Sequence, residues 1–262
     1  MSGARDMPWA CLMYHEVDGA SGGGGYFAVP RDAFAAQLDL LAERGFRGRS
    51  LEACLAAPEQ RQVAITFDDG HVTHRHEAFP ELVARGMTAT FFVITARVGL
   101  PGYVTWDELR EMASAGMSIQ SHTHSHPFLS ECAPGEAQRE LDASRRALDA
   151  ALGQRTSTLA LPNGDFPRGF DQRAFHASGY AAVATSRWGP NAPAAAVGRA
   201  MLVNRYTVRR ATTLAELDAL LARLPGVVSL EGARTLSLNA IRRLLGPTRY
   251  ARLRRRLVDR HR

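Results

Sequence analysis

The sequence predicts an α/β fold built on a mainly parallel sheet or barrel, and three observations carry that expectation. Apolar or β-branched runs of strand length alternate with helical patterns as far as about residue 225. The residues best suited to chemistry, His15, Asp68-Asp69, His122 with His126, and Pro162-Asn163, each follow a predicted strand at its C-terminal end. That is where parallel barrels build their active sites. Finally, no internal repeat and no convincing linker interrupts this stretch, so the elements belong to one body.

The elements follow in order. Residues 10–17 form an apolar run that reads as a strand with His15 near its end, and the Gly-rich residues 20–25 read as a loop. Pro30 opens and Gly45 closes a helix with Phe34, Leu38 and Leu41 on one face. A weak strand over 46–49 and a short helix over 51–57 lead to the strand 63–67, followed by a helix over about 76–85. Residues 88–95 are β-branched and aromatic, hence a strand. Thr105 and Glu108 form a capping box for a helix over 106–115. A strand over 117–120, a long amphipathic helix over 134–152 and a strand over 158–161 follow. A helix over 168–177, strands over 180–185 and 201–208, and a helix over 214–224 capped by Thr213 and Glu216 complete the pattern.

The bulk composition excludes several classes. No apolar run approaches the roughly 20 residues that a membrane-spanning helix needs. Residues 1–10 lack an h-region, so no secretory signal peptide is expected. Cys11, Cys54 and Cys132 are odd in number and far apart, which disfavours a disulfide framework and suits a reducing compartment. The chain has no lysine, which removes Schiff-base chemistry and leaves arginine for every cationic contact. From Arg234 to Arg262 ten arginines face one aspartate, a net +9; the whole chain is +6, so residues 1–233 carry −3. The basic character belongs to a tail.

The chemistry concentrates in two stretches. Residues 63–70 read as a buried run ending in Asp68-Asp69-Gly70, and residues 121–127 read Ser-His-Thr-His-Ser-His-Pro. One carboxylate with two imidazoles makes a three-ligand set for a divalent metal with a position left for water. The second carboxylate is then available as a base, whereas two unpaired adjacent carboxylates at a strand end would repel each other and suffer desolvation. A helix N-cap is the competing role for such an Asp. His122 and His126 are the expected ligands, with His124 projecting elsewhere. His71, His74 and His76 are expected as exposed helix-start residues.

Thr66-Phe67-Asp68-Asp69-Gly70 together with His122-Thr123-x-x-His126 resembles the polysaccharide deacetylases of the NodB-homology type, carbohydrate esterase family 4. The resemblance spans roughly residues 8–210 and includes 12–17, 86–92 and 144–148. It implies a distorted (β/α) barrel over residues 1–232 that removes N-acetyl groups from amino sugars. By the same resemblance Asp69, His122 and His126 would bind the metal, with zinc the default, and Asp68 would be the base that takes a proton from the attacking water. The family's Arg-x-Pro-Tyr motif reads Ala160-Leu161-Pro162-Asn163 here, so the arginine that orients the base is missing. The backbone N–H of Asn163 remains suited to donate to the oxyanion. The C-terminal Leu-x-His that supplies the acid is also missing; residues 227–231 hold no histidine. Deacetylases of poly-N-acetylglucosamine systems take the acid from an N-terminal Tyr-His, and Tyr14-His15 matches that arrangement, which nominates His15. Trp106 and Trp188 are candidates either for sugar stacking or for packing, and the resemblance sets Asn191 at the cleft lip.

The substrate expected from the resemblance is an N-acetylated glycan or a lipid-linked glycan precursor. The competing functions are a non-catalytic glycan-binding scaffold on a degenerate barrel and a deformylase of a lipid-linked amino sugar. Residues 233–262 read as an Arg-rich amphipathic helical tail with Leu238, Ile241, Leu245, Leu253 and Leu257 on one face. It suits either an anionic membrane surface, giving a cytoplasmic protein peripheral on the inner face, or packing on the barrel. Nucleic acid is not expected as a partner, because the acidic body offers no matching basic face.

Overall fold

The computed structural model describes residues 9–18, 24–57, 61–133, 135–191 and 198–222. The chain begins with β1 (Ala10–Tyr14), β2 (Glu16–Asp18) and β3 (Ala28–Pro30), followed by α1 (Arg31–Glu43), β4 (Arg47–Arg49) and α2 (Leu51–Ala56). It continues through β5 (Gln62–Phe67), α3 (Phe79–Ala84), β6 (Thr90–Val93), α4 (Trp106–Ser114) and β7 (Ser118–Ser121). The second half holds α5 (Glu136–Leu152), β8 (Thr158–Ala160), α6 (Gln172–Ala177), β9 (Ala182–Ala184), β10 (Met201–Val203), β11 (Tyr206–Thr207) and α7 (Leu214–Ala222). The alternation expected from the sequence is therefore present, and every ladder of the main sheet is parallel.

The strands run in the order β10-β9-β8-β7-β6-β5-β1-β11, with β4 beside the start of β5. The two strands at opposite ends of this path, β10 and β11, are consecutive in the chain and joined only by Asn204 and Arg205. Three peptide steps reach at most about 11 Å. The sheet must therefore curl until its edges nearly meet, which is the distorted barrel. Asn191 seals this seam: its backbone pairs with Trp9, and its side chain donates to Asn204 O (2.9 Å) and accepts from Asn204 N (2.8 Å).

Side chains alternate across the strands as period two requires. Cys11, Ala64, Phe92, Ala160, Ala182, Ala184 and Val203 form a cluster on one face, and the alanines leave it narrow. On the other face Leu12, Tyr14, Ile65, Phe67, Phe91 and Val93 pack against Phe34 and Leu38 of α1, Leu82 of α3 and Leu109 of α4. Burying each of these large apolar side chains contributes about 1.5–3 kcal/mol, so both layers hold the strand ends firmly.

Three expected elements differ in a way that matters for the site. The run 10–17 is two strands, broken at His15. The run 201–208 is also two strands, broken at Asn204-Arg205, because its halves pair with opposite edges of the sheet. The helix expected over 76–85 begins earlier, as a π-helical turn His74–Ala78 that passes into α3. Residues 233–262, expected as an amphipathic tail, lie outside the described residues.

Both capping boxes form. Thr105 Oγ1 accepts from Glu108 N (3.2 Å) while Glu108 Oε2 accepts from Thr105 N (2.7 Å), and Thr213 with Glu216 repeats the pattern. Replacing Thr105 by Ala is expected to lower the unfolding free energy by about 1 kcal/mol, measured by urea denaturation, with no change in slope.

Candidate active site

The site is assembled from the C-terminal ends of β1, β5, β7 and β8 and from the seam residue Arg205. At the end of β5 the ladder continues one step, with Asp68 N donating to Tyr14 O (2.9 Å). The chain then turns through Asp69 (φ 80°) and Gly70 (φ 78°), both left-handed. A Cβ at Gly70 would stand 3.2 Å from Val93 Cβ, so the turn needs glycine there. This reversal sends the two neighbouring carboxylates to different partners.

Asp68 turns into the barrel. Arg205, fully buried, grips it through two charge-assisted hydrogen bonds, Nη1–Oδ1 at 2.6 Å and Nη2–Oδ2 at 2.7 Å. The Arg205 Nε donates to Thr185 O (2.9 Å), and its guanidinium lies over the Phe92 ring at 5.6 Å. Burial by itself would push the Asp68 carboxyl up, but Arg205 first and His122 next outweigh it and hold it below the ordinary carboxylate range. The arginine absent from the Ala160-Leu161-Pro162-Asn163 stretch is thus replaced by one forty-odd residues downstream. Sequence reasoning missed Arg205 because its one local signal, a charged residue inside an apolar, strand-like run, does not say what it pairs with.

Asp69 turns the other way, towards the two histidines. Its Oδ1 is 3.4 Å from His122 Nε2 and 3.5 Å from His126 Nε2. Ligand atoms of a tetrahedral centre with bonds of about 2.1 Å lie about 3.4 Å apart, so these spacings fit an ion shared among them better than direct hydrogen bonds. All three ligand atoms lie within 4.8 Å of one another, and no other such group occurs among the described residues. His122 Nδ1 is 2.8 Å from Ala160 O. A carbonyl only accepts, so Nδ1 carries the proton and Nε2 offers its lone pair towards Asp69. Burial drives His126 down to about 4, which keeps it neutral and ready to ligate. In His122 burial is outweighed by Asp68 and Asp69, and its pKa is raised.

The loop bearing the histidines is held by the body of the fold. His122 N donates to Val93 O (2.9 Å), continuing the β6–β7 ladder. Thr123 and His126 both have φ near 65°, and Thr123 Oγ1 accepts from His126 N (3.1 Å). Glu140, from α5, accepts from the backbone N–H of His124 and Ser125 at 2.9 and 2.7 Å. His124 itself turns away to Thr95 Oγ1 (3.0 Å), as expected.

His15 stands half-buried between β1 and β2, stacked on Phe27 with ring centroids 4.6 Å apart. Burial lowers its pKa, against a smaller opposing pull from the Asp69 and Asp68 carboxylates. Asn163 follows β8 in the turn Pro162–Gly164 with φ 56° and shares a cleft with His126 and Phe128.

Three expectations are corrected, those for Asn191, His74 and His71, and the open alternative for Trp106 and Trp188 falls on packing. Asn191 is buried at the seam and is not a cleft-lip residue. Trp188 packs edge-on against Tyr206 (4.7 Å), and both it and Trp106 lie half-buried against the helix-side core, so neither is a free stacking platform. His74 is buried, not exposed, and His71 is half-buried against Tyr103, while His76 remains largely exposed and pairs with Glu108 at 3.0 Å.

Two outcomes test this geometry. Arg205→Met should cost about 3–5 kcal/mol of stability, because it strands a buried carboxylate. Adding Asp68→Asn should recover part of that loss, and urea unfolding of the two variants measures both. Protons compete with an ion for His122 Nε2, because the neighbouring Asp68 and Asp69 raise its pKa. Affinity for zinc should therefore fall as the pH drops, and calorimetric titration in buffers of different ionisation enthalpy should show proton release.

Residues 56–183 match the family Polysaccharide deacetylase. The chain is 33% identical over 161 residues to YxkH of Bacillus subtilis (strain 168), covering 59% of this chain and 56% of that protein. It is 34% identical over 95 residues to a chitooligosaccharide deacetylase of Bradyrhizobium sp. (strain ANU 289), covering 36% of this chain and 42% of that one. The alignments thus span about half the length of these curated relatives. Among solved structures, the Streptococcus pyogenes deacetylase PplD in complex with acetate superposes with a TM-score of 0.73 at 26% identity, covering 84% of this chain and 100% of that chain. Sequence family, fold and ligand cluster agree, and the chain carries a polysaccharide deacetylase domain of the NodB-like type.

Proposed function

We propose that this protein is a metal-dependent hydrolase that removes N-acetyl groups from a glycan containing amino sugars. The observation that carries the reading is the division of labour between adjacent carboxylates. Asp69 faces His122 and His126 at ligand spacing, and Asp68 is held apart from them in the grip of Arg205. A divalent ion in the first set, zinc by the chemistry of its donors, would polarise the amide carbonyl and acidify a water.

The remaining roles fall to side chains of this chain. Asp68 stays ionised through the neutral range and accepts the proton of the attacking water. As the C–N bond breaks, His15 protonates the departing sugar amine, and acetate and a free amine leave. The backbone N–H of Asn163, in the turn after β8, donates to the oxyanion. Arg205 donates to both carboxylate oxygens of Asp68 and so positions the base. The acetate ligand named for PplD and the chitooligosaccharide named for the Bradyrhizobium relative both support an N-acetylated glycan as substrate class.

The finer reading is a lipid-linked or membrane-proximal glycan precursor handled on the cytoplasmic face. It rests on the arginine-rich residues 234–262, whose charge suits anionic lipid. No helix among the described residues is long and apolar enough to cross a membrane.

The test is acetate release from N-acetylglucosamine oligomers and lipid-linked N-acetylated sugars, followed by mass loss that separates acetyl from formyl. Activity should vanish with chelator and in Asp69→Ala, fall by about 10²–10⁴ in Asp68→Asn, and fall steeply in His15→Ala. Turnover that survives both chelation and Asp69→Ala would sink the metal assignment. His15→Ala at wild-type rate would remove His15 as the acid.

A further inference from the structure

His74 is assigned no part in the reaction above, yet its surroundings are not those of a packing residue. It is 1% exposed, in the π-helical turn His74–Ala78, a rare element that recurs at functional sites. Its ring lies against Phe67 and Phe91, with centroids 5.2 and 5.5 Å away. Its Nε2 meets the backbone carbonyl of His15. That carbonyl only accepts, so Nε2 carries the proton and donates. Nδ1 is then an acceptor, buried with no partner among the described residues. Phe or Leu would fill this apolar slot without leaving an unsatisfied nitrogen, so packing does not account for an imidazole here.

The contact is one half of a clamp. One residue earlier, Thr73 Oγ1 accepts from Val17 N (3.3 Å), and His71 Nδ1 lies 2.9 Å from the same hydroxyl. Thr73 and His74 thus hold the peptide groups on either side of Glu16. His15 is the single residue between β1, which belongs to the barrel, and β2, which pairs with β3 in a separate sheet. His15 itself belongs to neither strand, and its carbonyl is met by the His74 ring. This clamp belongs to the segment directly following Asp68-Asp69-Gly70.

We propose that His74 is a positioning residue: by donating to the His15 carbonyl from a turn anchored behind the Asp68-Asp69 pair, it fixes the His15 ring relative to those carboxylates. The inference rests on His15 acting as the acid in the deacetylation proposed above. It adds a second tie between base and acid, besides the β1–β5 ladder, so that the two move as one unit.

The experiment uses the whole 262-residue chain with His74→Phe, which keeps the ring volume and removes the donor, and His74→Gln, which retains a donor. His74→Phe should lower kcat by about 10- to 100-fold with KM within about twofold, and His74→Gln should restore part of the rate. In a His15→Ala background His74→Phe should cost less than about twofold more, because the group it positions is gone. Independently of turnover, the His15 imidazole ¹H–¹⁵N chemical shifts should move in His74→Phe and return towards wild type in His74→Gln. A wild-type kcat in His74→Phe, or losses that simply multiply in the double variant, would overturn the assignment. If the wild-type chain releases no acetate, the reaction reading fails by itself. The shifts then decide alone, and unmoved His15 signals in His74→Phe would overturn the positioning role.

Discussion

The buried pair between Arg205 and Asp68 is the constraint on which the rest of the site depends. A guanidinium and a carboxylate removed from water are each costly, and they are tolerated only when geometry and further hydrogen bonds satisfy both. Here the two bonds between them, the Thr185 carbonyl and the Phe92 face meet that demand. The partners come from β5 and from the two-residue junction of β10 and β11, so the pair exists only when the sheet has curled far enough to bring its edges together. Closure of the barrel is what brings Arg205 to Asp68 and lets the carboxylate stay charged while buried. This links the stability of the fold to the charge state of the group proposed as the base.

The second organising feature is that the chemistry sits where regular structure breaks. His15 interrupts one strand-like run and Arg205 another, and His74 stands in a π-helical turn ahead of a regular helix. Five non-glycine residues among those described have positive φ, and four of them, Asp69, Thr123, His126 and Asn163, are at this site. Each such conformation costs on the order of 1 kcal/mol or more and persists because its surroundings over-determine it. Asp69 is followed by a glycine pressed against Val93, and the Thr123–His126 loop is tied down by Glu140 from α5. The apolar layers between sheet and helices supply the rigidity that lets these strained positions survive. The result is a cluster of three possible ligands whose spacing, and the His122 tautomer, are set by the fold.

Much of this was legible in the residues. Strand and helix alternation, the helix caps at Thr105 and Thr213, and the Asp-Asp and His-x-x-x-His pairs are local signals, because hydrogen-bond capping and side-chain periodicity act within a few residues. The missing arginine marked a gap without showing what filled it. Arg205, Glu140 and His74 act across 137, 16 and 59 residues of chain respectively. No periodicity or propensity encodes a contact of that kind. The same reasoning explains the misplaced Asn191: the resemblance set it at the cleft lip, whereas barrel closure buries it between Trp9 and Asn204.

The sequence by itself therefore determined the fold class, the order of elements and which side chains are chemically able to hold a metal, since residue type and near-neighbour spacing carry that information. Only the tertiary structure decided which arginine holds Asp68 and how His15 is approached from behind. Those outcomes depend on how a parallel sheet curls and where its edges meet, and that is a property of all its strands together.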